Sequence, residues 1–190
     1  MNNLFIAENL KVMTKVLPIL KIQVHQKEVS LIIKRDHLIP VLTFLKNHIK
    51  YQFKILTCIS GVDYPSQKYR FKVVYELLSV KYNTRIRVKV LTDELTPVES
   101  CCKIFPAAGW YESETWDMYG IFFANHINLT RLLTDYGFEG YPLRKDFPLS
   151  GFVESSYDYT RKRVTNERVE LSQEYRAFKF TSPWETLELN

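Results

Sequence analysis

The 190-residue sequence has no long apolar run, and it is poor in glycine, with six, and in cysteine, with three. No segment approaches the roughly 18 apolar residues that a membrane-spanning helix requires. The two glycine-rich phosphate-binding patterns, GxxxxGK[ST] and GxGxxG, do not occur. These absences exclude a P-loop or a Rossmann nucleotide site, and we expect any membrane association to come only through a partner.

The cysteines and histidines do not form a recognisable metal-binding pattern. Cys101 and Cys102 are adjacent, so they lack the two-residue gap through which paired thiolates usually share a tetrahedral ion, and Cys58 is the only other thiol. An iron–sulfur cluster usually needs four thiolates, and the four histidines are scattered along the chain. We therefore expect no metal and no cofactor in this chain. The three thiols, without a secretory signal, favour a reducing compartment.

The N-terminal stretch MNNLFIAENLKVMTK matches a mitochondrial import presequence poorly. It contains Glu8, and the first arginine of the chain is Arg35, whereas such presequences are rich in arginine and poor in acidic residues. We therefore expect a chain that was made where it works or that has already been trimmed.

The formal net charge of +5 is unevenly distributed. Residues 1–105 carry 17 Lys and Arg against 8 Asp and Glu, residues 106–140 carry 1 against 5, and residues 141–190 carry 8 against 8. A basic first half is compatible with nucleic-acid binding. In the predicted strands, however, the lysines alternate with apolar residues, as on the solvent face of a sheet. We favour this second interpretation.

Hydrophobic periodicity predicts an α+β fold for residues 1–120, a mainly antiparallel sheet with helices on one face. The remaining residues, 121–190, are predicted to form a long extended C-terminal arm that docks on partner subunits, with at most a helical turn at 128–133. The predicted elements of the first part are a helix at 3–17, a hairpin of ILKIQVH and EVSLIIK, a helix from 36 to 49, strands FKILTCISGVDYP, YRFKVVYELLSV and TRIRVKVLT, and helices at 98–105 and 107–119.

The C-terminal arm is unusual because it is rich in aromatic residues yet shows no regular periodicity. Residues 141–190 hold nine aromatic residues, which a low-complexity disordered tail would lack. Long loops without secondary structure are uncommon in compact domains. We therefore expect the arm to lie on another protein and to become ordered there.

Two charged groups are candidates for chemistry. Glu112, Glu114 and Asp117 surround Trp116, and the three-residue spacing of Glu114 and Asp117 places them on one helix face. They suit acid–base chemistry, or they hold arginines such as Arg131 or Arg144 in place. Because no nucleophile or metal ligand accompanies them, we favour the structural role.

The second group is Arg144, Lys145 and Asp146, which lies between Pro142 and Pro148 in an extended stretch. An arginine can clamp a carboxylate or a cofactor's anion through two parallel hydrogen bonds. The alternative is an ion pair that docks the arm on its partner, and we favour docking.

One long block, ESETWDMYGIFFANHINLTRLLTDYGFEGYPLRKDFPLSG, resembles the thirty-kilodalton subunit family of NADH:ubiquinone oxidoreductase, respiratory complex I, which occurs in mitochondria and in bacteria. SGVDYP at 60–65 and ELSQEYRAFKFTSPWE at 170–185 are similar to further segments of that family. The positions that carry the motif are Glu112, Glu114, Trp116, Asp117, Gly120, His126, Asp135, Gly137, Gly140 and Pro142.

The chain departs from the family pattern at three positions of this block. The family usually has arginine where Ser113 stands, a basic residue where Thr130 stands and histidine where Tyr141 stands. The stretch after Gly151 also diverges. The Asp135-to-Gly137 and Leu143-to-Asp146 segments keep the pattern.

The resemblance implies a non-catalytic core subunit of the enzyme that passes electrons from NADH to ubiquinone and pumps protons. It implies no redox cofactor in this chain, with FMN and iron–sulfur clusters in partner subunits of the peripheral arm. It also implies a location on the matrix side of the mitochondrial inner membrane, with membrane contact only through the complex. The residues that we expect on the side of the quinone site are Leu143, Arg144, Lys145, Asp146, Phe147 and Pro148.

Two alternatives remain open. The first is the equivalent subunit of a related ferredoxin-linked dehydrogenase or membrane-bound hydrogenase, although the TSPWE tail favours the respiratory form. The second, of a different class, is a basic nucleic-acid-binding protein, whose binding would weaken steeply with salt. It leaves the aromatic arm without an explanation.

Overall fold

The computed structural model describes residues 12–26, 28–176 and 178. The chain divides into two compact units, residues 1–147 and 148–190, which are described separately here. Residues 12–16 are helical, which agrees with the predicted N-terminal helix. The part of that prediction at residues 3–11 lies outside the described residues.

The first unit contains seven strands and two α-helices among its described residues, apart from the N-terminal helical residues. They are β1 (Ile19–His25), β2 (Glu28–Ile33), a 3₁₀ turn (Arg35–His37), α1 (Leu38–Asn47), β3 (Ile55–Asp63), β4 (Phe71–Ser79), β5 (Thr84–Thr92), β6 (Val98–Glu99), α2 (Ala108–Tyr119) and β7 (Phe123–Ala124).

The first five strands form one sheet in the order β1-β2-β5-β4-β3. All neighbours are antiparallel except β2 and β5, so the predicted α+β fold with a mainly antiparallel sheet is confirmed. Strand alternation places Leu31, Val88, Tyr75 and Ile59 in one row across four strands. All four are buried, so this face of the sheet is the core face.

Helices α1 and α2 contribute to the same hydrophobic cluster as the core face. In α1, Leu38, Val41, Leu42 and Leu45 are buried at helical spacing. Helix α2 packs on β3, where a Cβ atom at Gly61 would lie only 2.6 Å from the Tyr119 ring. A side chain at position 61 would therefore push α2 off the sheet.

The predicted helix at 98–105 is wrong. Residues 98–99 form β6, which pairs in parallel with β7, and the chain then turns at 102–104. The backbone N–H of Val98 donates to the Phe122 carbonyl at 2.9 Å, and that of Cys101 donates to the Glu112 carboxylate at 2.8 Å. Because Val98 and Glu99 pair with β7 as a strand, their backbone is extended and no helix begins there.

Residues 128–133, where the sequence indicated at most a helical turn, have no helical backbone. The N–H groups of Leu132 and Leu133 donate to the side chain of Asp117 at 3.2 and 2.8 Å. A buried carboxylate thus takes the place of the carbonyl acceptors that a helix would supply.

The second unit contains an antiparallel hairpin, β8 (Val153–Asp158) and β9 (Arg163–Arg168), which the sequence analysis did not predict. The Asp158 carboxylate accepts the N–H groups of Thr160 and Arg161 at 2.8 and 3.2 Å and so fixes the turn. The Tyr157 and Tyr159 rings meet edge to face with centroids 5.1 Å apart. Most of the described side chains of this unit are exposed.

No helix in the described part of the chain is both long enough and apolar enough to span a membrane.

Candidate functional site

The family motif is organised around Asp117, a fully buried residue on α2. Its carboxylate accepts the N–H groups of Leu132, Leu133 and Thr134 at 3.2, 2.8 and 2.9 Å, and the Thr134 hydroxyl at 2.7 Å. Burial alone raises the pKa of Asp117, but the hydrogen bonds from Thr134 and the neighbouring N–H groups outweigh it and hold that pKa below its usual range. Asp117 therefore anchors the segment after β7 as an ionised acceptor.

Arg131 is the cationic partner of Asp117, with its guanidinium 3.1 Å from the carboxylate. The prediction that the acidic group holds arginines such as Arg131 or Arg144 is confirmed for Asp117 with Arg131. The guanidinium also donates to the Gly140 carbonyl at 3.1 Å and lies over the Tyr141 ring at 5.2 Å. Arg131 thus ties α2 to the loop that contains the motif glycines.

A second buried carboxylate, Asp63, lies at the end of β3 on the core face of the sheet. It accepts two hydrogen bonds from the Arg70 guanidinium, at 2.8 and 3.0 Å, and one from the N–H of Lys145 at 2.9 Å. The hydrogen bonds from Arg70, and then that from Lys145, hold the pKa of Asp63 below its usual range against the effect of burial. Arg70 in turn contacts Asp146 at 2.9 Å and Glu94.

Arg144 is bound to its own domain. Its Nε donates to the Tyr119 carbonyl at 2.7 Å, and its guanidinium lies over the Tyr141 and Phe71 rings at 4.5 and 5.1 Å. Gly120 makes this approach possible, because it has φ 76° and an added Cβ atom would lie 2.6 Å from the Arg144 guanidinium. The carbonyl that receives Arg144 is one of those left free at the C-terminus of α2.

The six residues expected at a partner interface, 143–148, are called the contact segment below, and they divide into two groups. The side chains of Arg144 and Phe147 are half-buried, and the Phe147 ring lies against that of Phe138 with centroids 6.0 Å apart. The other four are exposed: Leu143, Lys145, Asp146 and Pro148. Only this second group offers an exposed surface to a partner.

The remaining motif residues have different surroundings. Glu114 is exposed on α2. Asp135 accepts the N–H of Tyr136 at 2.8 Å and Gly137 follows with φ 73°, so this segment is a turn. Gly140, with φ 92°, lies against the Phe147 ring, and Pro142, just before the contact segment, is half-buried.

Glu112 forms a third buried carboxylate cluster, with Ser100, Cys101 and Cys102. The Ser100 hydroxyl donates to Glu112 at 2.6 Å and the Cys101 N–H at 2.8 Å. The thiols of Cys101 and Cys102 lie 3.2 and 3.3 Å from the two carboxylate oxygens. Burial and the Glu112 charge raise the pKa of both thiols, which keeps them protonated and weakly nucleophilic.

His126 completes this cluster, and together with Cys102 and Glu112 it offers three ligand atoms within 4.8 Å of one another. Its Nδ1 accepts the N–H of Asn128 at 3.1 Å, so the neutral ring carries its proton on Nε2. Nε2 lies 3.2 Å from the Gly109 carbonyl and 3.7 Å from Glu112. A metal-bound histidine instead donates its second N–H to an acceptor. The cluster therefore fits a hydrogen-bonded arrangement better than a metal site.

A pocket of about 510 Å³ opens beside this cluster. Its lining includes Cys102 and His126 from the cluster and the exposed side chains of Trp110 and Ile127. The remaining lining residues are Pro106, Gly109, Ser113, Asn128, Thr130 and Leu132. Two of the three departures from the family pattern, Ser113 and Thr130, therefore lie in this one pocket, whereas the ring of the third, Tyr141, lies under the guanidinium groups of Arg131 and Arg144.

The sequence analysis missed Asp63, Arg70 and Ser100. Asp63 carried a detectable signal, because it continues the alternation of Ile59 and Gly61 and so falls on the core face of a strand. A carboxylate at such a position needs a partner. Nothing in the sequence identified Arg70 or Lys145 as the partner.

Comparison with known proteins identifies the family to which these residues belong. Residues 31–153 match the family described as the 30 Kd subunit of respiratory-chain NADH dehydrogenase. The chain is 55% identical over 163 residues to NADH-ubiquinone oxidoreductase subunit 9 of Reclinomonas americana, covering 86% of this chain and 80% of that protein.

Two further relatives have a comparable similarity. NADH dehydrogenase [ubiquinone] iron-sulfur protein 3 of Oryza sativa subsp. japonica is 58% identical over 150 residues, 79% of each chain. NADH-ubiquinone oxidoreductase subunit 9 of Prototheca wickerhamii is 52% identical over 166 residues, 87% of this chain and 86% of that protein. The residues that match the family, 31–153, contain all three carboxylate clusters described above.

Proposed function

Because the chain belongs to the family of the 30-kDa subunit of respiratory-chain NADH dehydrogenase, it is a subunit of complex I, and we propose that its own role is to brace other subunits. In this proposal the chain is a non-redox core subunit of the peripheral arm. It supports the subunits that hold the terminal iron–sulfur cluster and the quinone site.

One observation carries the proposal: several apolar side chains of the second unit are more than half exposed. They are Leu149, Val153, Tyr157, Tyr159 and Val164. A two-stranded hairpin is marginally stable by itself in water, and apolar surface of this kind marks contact with another protein. The hairpin is therefore suited to lie on a partner subunit.

The first unit contributes exposed residues of its own through the contact segment. The backbone N–H of Lys145 is held by Asp63 while its side chain is exposed. Leu143 is also exposed. A backbone held at Asp63 gives a rigid docking site, and we propose that the contact segment, residues 143–148, meets the subunits around the quinone cavity through its exposed side chains.

The proposal assigns no redox centre to this chain. The sequence holds three cysteines, one fewer than a cluster usually requires, and two of them are hydrogen-bonded to Glu112. In the proposed arrangement FMN and the iron–sulfur clusters belong to partner subunits. The chain lies on the matrix side of the mitochondrial inner membrane and contacts the membrane only through the complex.

Native electrophoresis of a mild-detergent membrane extract tests the proposal, with mass spectrometry of every band that contains this chain. We expect the chain in a large band that oxidises NADH and also contains the quinone-site and terminal-cluster subunits. Recovery as a free monomer or bound to nucleic acid would contradict the proposal. Recovery with a hydrogenase would instead indicate that the chain has the same bracing role in a related enzyme complex.

A further inference from the structure

Tyr136, in the irregular segment that follows β7, has the most exposed large apolar side chain in the described part of the chain, with a relative exposure of 103%. Leu133, three residues before it, is 61% exposed. An aromatic side chain stabilises a fold by burying roughly 150–250 Å² of its surface. The ring of Tyr136 makes no such contribution to the described fold.

The backbone on both sides of Tyr136 is nevertheless fixed to the rest of the first unit. Before it, the buried carboxylate of Asp117 accepts the N–H groups of residues 132–134. After it, the Arg131 guanidinium donates to the Gly140 carbonyl at 3.1 Å. The exposed ring therefore belongs to a segment that is held at both ends.

The turn that contains Tyr136 is also hydrogen-bonded internally. The Asp135 carboxylate accepts the N–H of Tyr136 at 2.8 Å, and the Asp135 carbonyl accepts the N–H of Phe138 at 3.2 Å. Gly137 supplies φ 73°, and Phe138 is half-buried against the Phe147 ring. Because this backbone is already ordered, binding a partner has to immobilise little more than the two side-chain torsions of Tyr136.

The surface around Tyr136 is acidic. Asp135 and Glu139 are both exposed and are negatively charged at neutral pH. The segment 106–140 contains a single basic residue, Arg131, and it pairs with a buried carboxylate. Within the described residues, no ion pair involves Asp135 or Glu139. A partner that complements this surface therefore offers lysine or arginine side chains.

We propose that Tyr136 is an anchor residue that inserts into an apolar pocket on a neighbouring subunit, with lysine or arginine side chains at the pocket rim facing Asp135 and Glu139. The inference rests on the proposed function, because the chain meets this partner as a subunit of a larger assembly. Tyrosine is enriched among the residues that dominate binding energy, since its ring fills a pocket and its hydroxyl can form a hydrogen bond there.

A competition experiment tests the anchor. Each full-length variant is produced together with a tagged wild-type chain in cells that assemble the complex, and mass spectrometry measures the ratio of the two chains in the purified complex. Relative to an untagged wild-type chain, we expect Tyr136→Ala to lower this ratio about tenfold, the loss typical of an interface hot spot. Tyr136→Phe should lower it less, because only the hydroxyl is lost. An unchanged ratio for Tyr136→Ala would overturn the inference.

Leu95→Ala is the matched control, because Leu95 is 94% exposed in the loop between β5 and β6. We expect this variant to change the ratio less than about twofold. The urea midpoint of the purified Tyr136→Ala chain should equal that of the wild-type chain, because the ring is exposed. A lower midpoint, or an equal loss of incorporation for Leu95→Ala, would overturn the inference.

The charge of the partner surface is tested with Asp135→Asn combined with Glu139→Gln, which removes both charges and keeps an oxygen acceptor for the N–H of Tyr136. We expect the ratio to fall about threefold. Asp36→Asn combined with Glu99→Gln neutralises two exposed carboxylates elsewhere on the same unit and should have no such effect. Equal incorporation of the two double variants would overturn the assignment of a basic partner surface.

Benzoylphenylalanine in place of Tyr136 identifies the partner directly. After photo-crosslinking in the assembled complex, we expect a product that joins this chain to another subunit. A crosslink to this chain alone, or to nucleic acid, would overturn the inference. If the wild-type chain itself is absent from the complex, the proposed function fails instead.

Discussion

Residues 121–147 and residues 148–176 both follow α2, yet they differ in how the chain holds them. The first stretch is bound to the sheet and to α2 by three acceptors: Asp63, Asp117 and the Tyr119 carbonyl. The second forms a hairpin whose side chains are mostly exposed. Irregular chain is thus ordered within its own unit where a buried carboxylate accepts its N–H groups. Where the described chain has no such anchor, apolar side chains are exposed, and we propose that a partner covers them.

Removing Asp117, which accepts the N–H groups of residues 132–134, should have the largest effect on the stability of the first stretch. Asp117→Ala leaves three backbone N–H groups and Arg131 without their acceptor, so we expect the free energy of unfolding to fall by about 3 kcal/mol or more. Urea unfolding of the full chain measures this change. Asp135→Ala is the matched control, because the exposed Asp135 accepts the N–H of its neighbour at the surface. A similar loss for both variants would contradict the anchoring role of Asp117.

Low pH should also destabilise the first stretch, residues 121–147, because it protonates the carboxylates that anchor it. Asp63 and Asp117 have pKa values lowered in the folded state, so their stabilisation is fully present above the unfolded pKa of about 3.9 and is lost as the pH falls through the folded pKa. We expect the free energy of unfolding to decrease as the pH is lowered from about 5 towards 3.

Urea titrations at several pH values measure this dependence. Asp63→Asn and Asp117→Asn should each flatten the curve in that range, because each removes one titrating carboxylate. An unchanged slope in both variants would show that other groups cause the acid sensitivity.

A comparison of alanine substitutions at two glycines distinguishes the cost of backbone strain from the cost of a packing clash. Gly120 and Gly137 have nearly the same φ, 76° and 73°, but a Cβ atom at 120 meets Arg144 and Tyr141, whereas one at 137 meets nothing within 4 Å. We expect Gly137→Ala to cost about 1 kcal/mol from its φ alone and Gly120→Ala about 1–3 kcal/mol more. Thermal unfolding of the two variants measures the difference. Equal losses would mean that Arg144 moves away at little cost.

The hairpin should show the smallest effect on stability. Tyr157→Ser and Val164→Ser change exposed, directly paired residues of β8 and β9, so we expect less than about 0.5 kcal/mol in the free energy of unfolding of the isolated chain. Incorporation into the complex, measured on native gels, should nevertheless decrease. Ser156→Ala on the opposite face is the control. Normal incorporation of both apolar variants would argue against the hairpin as a contact surface.

Much of the sheet and α2 could be predicted because local sequence and final structure agree there. The sequence pattern predicted strands at β3, β4 and β5. It also predicted a helix at 107–119, and the observed helix α2 is Ala108–Tyr119. The failure at 98–105 has a tertiary cause. Val98 and Glu99 pair with β7, a strand distant in sequence, and local propensity contains no information about such a partner.

The candidate site was predictable to a similar degree. The ion pair of Asp117 with Arg131 followed from charge and proximity along the chain, since only fourteen positions separate them. The contact of Asp63 with Lys145 depends on the end of β3 meeting a loop that lies beyond α2. Its only trace in the sequence is a carboxylate in an apolar position of a strand.

The hydrogen bond from the Lys145 N–H to Asp63 joins residues 82 positions apart, and this separation sets an order of events during synthesis. Asp63 leaves the ribosome long before the Lys145 N–H that it accepts, and closing so long a loop costs entropy that a preformed sheet helps to repay. The sheet must therefore form first and residues 141–147 settle on it afterwards. The surface proposed to meet other subunits is completed only after residue 145 has emerged, so a truncated or unfinished chain lacks it.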